Sequence, residues 1–227
     1  MIVPQHSNVG PALRLRVGVL QHAPVHEPTD HDHAHGLSID GTNPWVTLRS
    51  SVAWDGARMR IRQDEVLQPD GSPGTYTYVE LPWDVVVVVP VDDQGRVHLV
   101  RQWRYPWGRN SWEIPAGHCE PDEDPLNGAR RELAEEVGLS ARAWQHLGTG
   151  YSSAAFNARY HVYLAKDLEP IEEGGSTKHV RDGSELDMIQ TALPLEEALE
   201  AASDGTIIHA LSVVALQWAN RALSMAR

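Results

Sequence analysis

The chain has 227 residues, is 41% hydrophobic and 22% charged, and carries a formal net charge of −12. That length suits one domain with an extension. The acidity excludes a general nucleic-acid binder, which would show a basic stripe, and no apolar run is long enough to span a bilayer.

Residues 1–44 are unlike the rest. "HAPVHEPTDHDHAHG" holds five histidines, two prolines and no hydrophobic period, and reads as a flexible arm. His31, His33 and His35 alternate, which would suit a metal on an extended backbone; a polar tail is the simpler reading. Arg14 and Arg16 interrupt the mildly apolar start, which speaks against a signal peptide. Cys119 is the single cysteine, so no internal disulfide forms, and this fits a reducing cytoplasm.

From Trp45 the pattern changes. "VTLRSSVAWDG", "ARMRIRQDEVLQPDG" and "TYTYVELP" alternate and are broken by Asp55–Gly56 and Asp70–Gly71, so residues 45–80 predict an antiparallel sheet. "DVVVVVPVD" predicts a strand buried on both faces. "RVHLVRQWRYP" and "SWEIPAG" predict two more strands. A helix is expected over 124–137, capped by Asp122 or Asp124, with Pro125 in its first turn. Leu126, Ala129, Leu133 and Val137 form its apolar stripe, and Gly138 ends it. "ARYHVYLAKDL" and "LDMIQTALP" predict further strands, "LEEALEAASDG" a short helix, and "TIIHALSVVALQWANRALSMA" a longer one. Mixed strands and helices point to an α+β chain or an α/β/α sandwich.

The helix carries Glu132, Glu135 and Glu136 within five positions. Like charges at i and i+4 cost an isolated helix roughly 0.2–0.5 kcal/mol per pair. Carboxylates so placed supply the hard oxygens that magnesium takes, and a bound cation would turn the cluster into a platform for a diphosphate. Arg131 can hold a glutamate by a two-pronged pair.

Gly117, Glu123 and Arg131-Glu132-Leu133-Ala134-Glu135-Glu136-Val137-Gly138-Leu139 match G-x5-E-x7-R-E-U-x-E-E-x-G-U at every specified position. This resembles the box of the Nudix hydrolases, and the flanks "RQWRYPWGRNSWEIPAG" and "PLEEALEAASDGTI" look most like the ADP-ribose pyrophosphatase branch. The resemblance implies a Nudix fold over 81–227: a mixed sheet in an α/β/α sandwich, with 45–80 as an N-terminal sheet that forms a homodimer. It implies metal-dependent hydrolysis of a nucleoside diphosphate linked to a sugar, ADP-ribose first, with magnesium and with manganese as the substitute. Its metal ligands would be Glu132, Glu135, Glu136 and the carbonyl of Ala116, with Glu135, Glu136 and Arg131 in catalysis. Arg104 would meet phosphates and Glu113 the adenine. A late-loop glutamate would serve as general base; Glu185 is the choice, with Glu172, Glu173 and Asp182 as alternatives. Trp103, Trp107 and Trp112 could stack a base but are first expected in the core. His118 and Cys119 are expected in a loop, and His161 in a structural role.

One stretch departs from the branch pattern. Ser153, Ala154 and Ala158 stand where proline, glycine and glutamate are common, in a loop expected to border the pocket. That keeps GDP-mannose and other sugar nucleotides open as substrates, beside a nucleotide-sensing module that does not cleave.

Overall fold

The structure is a computed structural model, and it describes residues 41–171 and 187–225. The chain divides into two compact units, Met1–Trp54 with Ile61–Thr77, and Asp55–Arg60 with Tyr78–Arg227. The histidines at 31, 33 and 35, and Glu172, Glu173, Asp182 and Glu185, lie outside the described residues.

In the first unit, β1 (Val46–Asp55), β2 (Arg60–Leu67) and β3 (Pro73–Glu80) form one sheet in that order. The connections are too short for anything but antiparallel hairpins. Gly71 makes the second turn at φ 81° and donates to the Gln68 carbonyl at 2.8 Å. Inside this sheet Asp64 is buried and accepts from the Ser50 hydroxyl, which in turn accepts from Arg62 at 2.6 Å.

The second unit is built around β4 (Val85–Pro90), the valine run. Its sheet has the order β7-β4-β9-β8, with β7 (Ala116–His118), β9 (Arg159–Pro170) and β8 (Leu139–Tyr151). β4 and β9 run parallel and the other neighbours antiparallel, so the sheet is mixed. A second sheet, β10-β5-β6, joins β10 (Ile189–Pro194), β5 (Arg96–Arg104) and β6 (Arg109–Glu113), all antiparallel.

The two-residue period of β4 separates two cores. Val87 and Val89 pack with α2 (Leu195–Ser203) and α3 (Ala210–Met225) through Ala198, Ala215, Leu216 and Ala219. Val86 and Val88 pack with Ala129 of α1 (Pro125–Glu132) and with Leu133 and Val137 just beyond it. A strand covered by helices on both faces must be apolar on both. This is the expected α/β/α sandwich. No described helix is long and apolar enough to cross a membrane.

Three local expectations change. The long strand β8 is absent from the strands expected from the sequence: it has no clean alternation, Gly148 and Gly150 interrupt it, and its register shifts between His146 and Gly148. "SWEIPAG" is two strands, β6 and β7, split at Ile114–Pro115; β7 includes His118, so His118 stands on a strand rather than in a loop. The tryptophans divide: Trp112 packs partly buried against the core, while Trp103 and Trp107 are exposed.

Candidate functional site

α1 starts where the sequence places it. Asp124 caps it by accepting from Leu126 N–H at 3.0 Å, and Pro125 occupies the first turn. The helix continues as a wider π turn, Leu133–Val137, closed by Gly138 at φ 72°. A π turn adds a residue and reorients the side chains that follow, and such turns recur at functional sites. Gln190 of β10 donates to the Glu136 carbonyl at 2.5 Å and ties this turn to the second sheet.

Glu132, Glu135, Glu136, Arg131, Ala116 and Arg104 all border one cleft of about 720 Å³. Glu136 is 3% exposed, and its Oε2 accepts from Ala116 N–H at 2.9 Å. Glu132 is 7% exposed and lies against Gly117: a Cβ at Gly117 would fall 2.0 Å from Glu132 Oε1. The glycine of the motif is there because the carboxylate fills the space of its missing side chain.

Arg131 is the positive centre of this group. Its Nη1 donates to Glu132 at 2.7 Å and to Glu135 at 3.2 Å, its Nη2 to Glu123 at 3.0 Å and to the His118 carbonyl at 2.8 Å. Its pKa is raised, first by the hydrogen bond with Glu123 and then, against burial, by Glu132 and Glu135. Glu123 is held below the usual carboxylate range by the same bond.

Among the described residues no three side chains already form a closed cation cage, because the carboxylates are turned onto Arg131 and the Ala116 amide. The donor set nevertheless fits a divalent cation. It offers hard carboxylate oxygens beside the cleft, which is the chemistry such ions take, and a bound cation would take over from Arg131 as their partner.

Arg104 and Glu113 meet across the β5–β6 pair. Arg104 Nε donates to Glu113 Oε1 at 2.9 Å and its Nη2 to Oε2. Glu113 is 1% exposed, so it lies beneath the arginine and presents it to the cleft. A contact of Glu113 with adenine would require this pair to open. Trp107 and His209 also line the cleft. Nothing in the local sequence spacing marks His209, Gln190 or Gln102, since each reaches the site only through packing of separate elements.

The loop before β9 lies elsewhere. Val79 N–H donates to the Ala155 carbonyl at 2.8 Å and Leu81 N–H to Asn157 Oδ1 at 2.8 Å. None of residues 151–158 is among those lining the cleft, so the expected border with the pocket is not found. His161 is structural as expected: its Nε2 meets Asp84 Oδ2 at 3.0 Å and its Nδ1 meets Thr149 Oγ1 at 3.1 Å. Cys119 is buried, and burial pushes its thiol up to about 11, with Glu123 and Asp84 adding to the effect.

Residues 81–211 match the model of the NUDIX domain. The chain is 35% identical to the ADP-ribose pyrophosphatase of Mycobacterium tuberculosis over 169 residues, 74% of this chain and 79% of that protein. It is 31% identical to the ADP-ribose pyrophosphatase of Bacillus subtilis over 173 residues, 76% of this chain and 90% of that protein. The fold is similar to that of a crystal structure described as ADP compounds hydrolase, with a TM-score of 0.69 at 20% identity, covering 82% of this chain and 98% of that one. Because that match spans residues 81–211, and both relatives exceed 30% identity over about three quarters of the chain, the chain belongs to the NUDIX family, as a Nudix hydrolase.

Proposed function

We infer that the chain hydrolyses the diphosphate of ADP-ribose to AMP and ribose 5-phosphate. The observation that carries this is the juxtaposition of the Glu132–Glu135–Glu136 face with Arg104 across one cleft, in a chain whose relatives are named for that substrate. A divalent cation, magnesium or manganese, held by Glu132, Glu135, Glu136 and Ala116, would neutralise the diphosphate and acidify a water.

The protein's own part is positioning. Glu113 locks Arg104 by a two-pronged pair, so the guanidinium meets phosphate oxygens without first losing rotamer freedom. Arg131 holds Glu132 and Glu135 on the cleft side of the helix and balances their charge. The Ala116 amide fixes Glu136. For the proton of the attacking water the sequence offers Glu185.

The altered loop at Ser153 and Ala154 is the ground for keeping GDP-mannose and other sugar nucleotides open beside ADP-ribose. Its absence from the cleft lining removes that ground. The exposed apolar side chains Val46, Leu48, Val52 and Trp54 recur on one face of β1 and support a homodimer through residues 45–80. The lone cysteine supports a cytoplasmic location. Incubation with ADP-ribose and magnesium, with chromatography for AMP, tests the reading. AMP release is expected. Binding without release would favour a sensing module, and faster cleavage of GDP-mannose would reassign the substrate.

A further inference from the structure

One wall of the cleft holds two residues without a task in the reading above. His209 immediately precedes α3, and its carbonyl accepts from Val213 N–H at 3.0 Å. Its ring lies beside Trp107, with centroids 6.0 Å apart and planes at 46°. Trp107 closes a 3-10 turn, Tyr105–Trp107, which Gly108 ends at φ 60°, so the indole is held by a tight turn while 44% exposed.

The contacts of His209 define its proton. Nδ1 lies 2.8 Å from Ser212 Oγ and 3.3 Å from Glu113 Oε2. Ser212 is fully buried, and its Oγ already accepts from Ile114 N–H at 2.9 Å. A lone pair on Nδ1 would face the Glu113 carboxylate, whereas a proton there satisfies both oxygens. The neutral ring then leaves Nε2 as an acceptor. Burial lowers the pKa of His209, against Glu113 and with Arg104, which favours the neutral ring. Among the described residues no hydrogen bond reaches Nε2.

A flat apolar face beside a single fixed acceptor is what recognises an aromatic base bearing an amino group. We propose that Trp107 and His209 form a base-reading subsite, in which an aminopurine stacks on Trp107 and its exocyclic amino group donates to His209 Nε2. This deepens the ADP-ribose reading and rests on it. Glu113 then serves both ends of the substrate, since its Oε2 holds the phosphate-facing Arg104 and the base-facing His209 together.

Calorimetric binding of AMP tests this apart from hydrolysis. The wild-type protein should bind AMP about five- to tenfold more tightly than the analogue whose purine lacks the 6-amino group, the size of one hydrogen bond. His209→Ala should bind the two alike. Trp107→Ala should weaken both equally, and Trp107→Phe should restore most of the loss; the exposed position of Trp107 makes these two variants safe for the fold. Equal binding by the wild type, or discrimination that survives His209→Ala in a protein with an unchanged melting curve, overturns the subsite. Failure of the substrate reading looks different: discrimination between the two nucleotides stands, but ADP-ribose releases no AMP.

Discussion

Gly117 and Glu136 show how single positions determine the site. Gly117 leaves room for the Glu132 carboxylate, so Gly117→Ala is expected to displace Glu132 and reduce turnover without unfolding the domain. Circular dichroism with kcat at saturating magnesium checks this, and wild-type turnover would contradict the packing argument. Glu136→Gln keeps an oxygen for the Ala116 amide but removes a ligand charge. Turnover should fall at least about a hundredfold with stability nearly unchanged; near-normal kcat would remove Glu136 from the metal platform. Glu123→Gln should cost less, because Glu123 faces Arg131 from the edge of the group at 3.0 Å.

At the scale of elements, Asp84 ties strand ends together. It precedes β4, pairs with Arg159 at 2.8 Å and with His161 at 3.0 Å, both on β9, and its carbonyl accepts from Cys119 N–H beyond β7. Burial alone would raise its pKa, but His161 and Arg159 outweigh burial and hold it at about 2, against an ordinary value of 3.8. For a depressed carboxylate the linked stability is complete above the unfolded value and is lost as pH falls through the folded one. Asp84→Asn should therefore destabilise by about 1–3 kcal/mol near neutrality, and the gap from wild type should narrow between about pH 4 and 2. Urea unfolding across that range measures it; a constant gap would show that packing, not charge, is lost. β8 meets α3 at Gly148, where a Cβ would lie 2.7 Å from the Trp218 ring. Gly148→Ala should cost about 1–3 kcal/mol from overpacking, and adding Trp218→Leu should recover part of it. A double-mutant cycle with no coupling would refute that contact.

The molecule as a whole should be a dimer. The first unit is one three-stranded sheet in which Val66 is the one buried apolar side chain among the described residues, and β1 exposes Val46, Leu48, Val52 and Trp54. Sedimentation at micromolar concentration should show a homodimer, unchanged on deleting residues 1–40. Trp54→Glu should shift it toward monomer by burying an unpaired charge in the apolar contact. A wild-type monomer would leave this face without its proposed partner.

The glutamate face, Arg131, the glycine brackets and the two-sided strand β4 were readable in the sequence, because each is a local pattern with a fixed period or spacing. The motif's spacing keeps Glu132, Glu135 and Glu136 within about one turn of the same helix, although the π turn that re-aims them was not readable, and a run of valines buried on both faces needs layers on both. Tertiary structure alone showed that Glu113 lies beneath Arg104, that the 151–158 loop pairs with residues 79–81 and not with the cleft, and that His209 enters the cleft from the start of α3. These are contacts between residues far apart in the chain, decided by which strands pair and which helix covers them. No local spacing encodes that, because the packing of whole elements selects it.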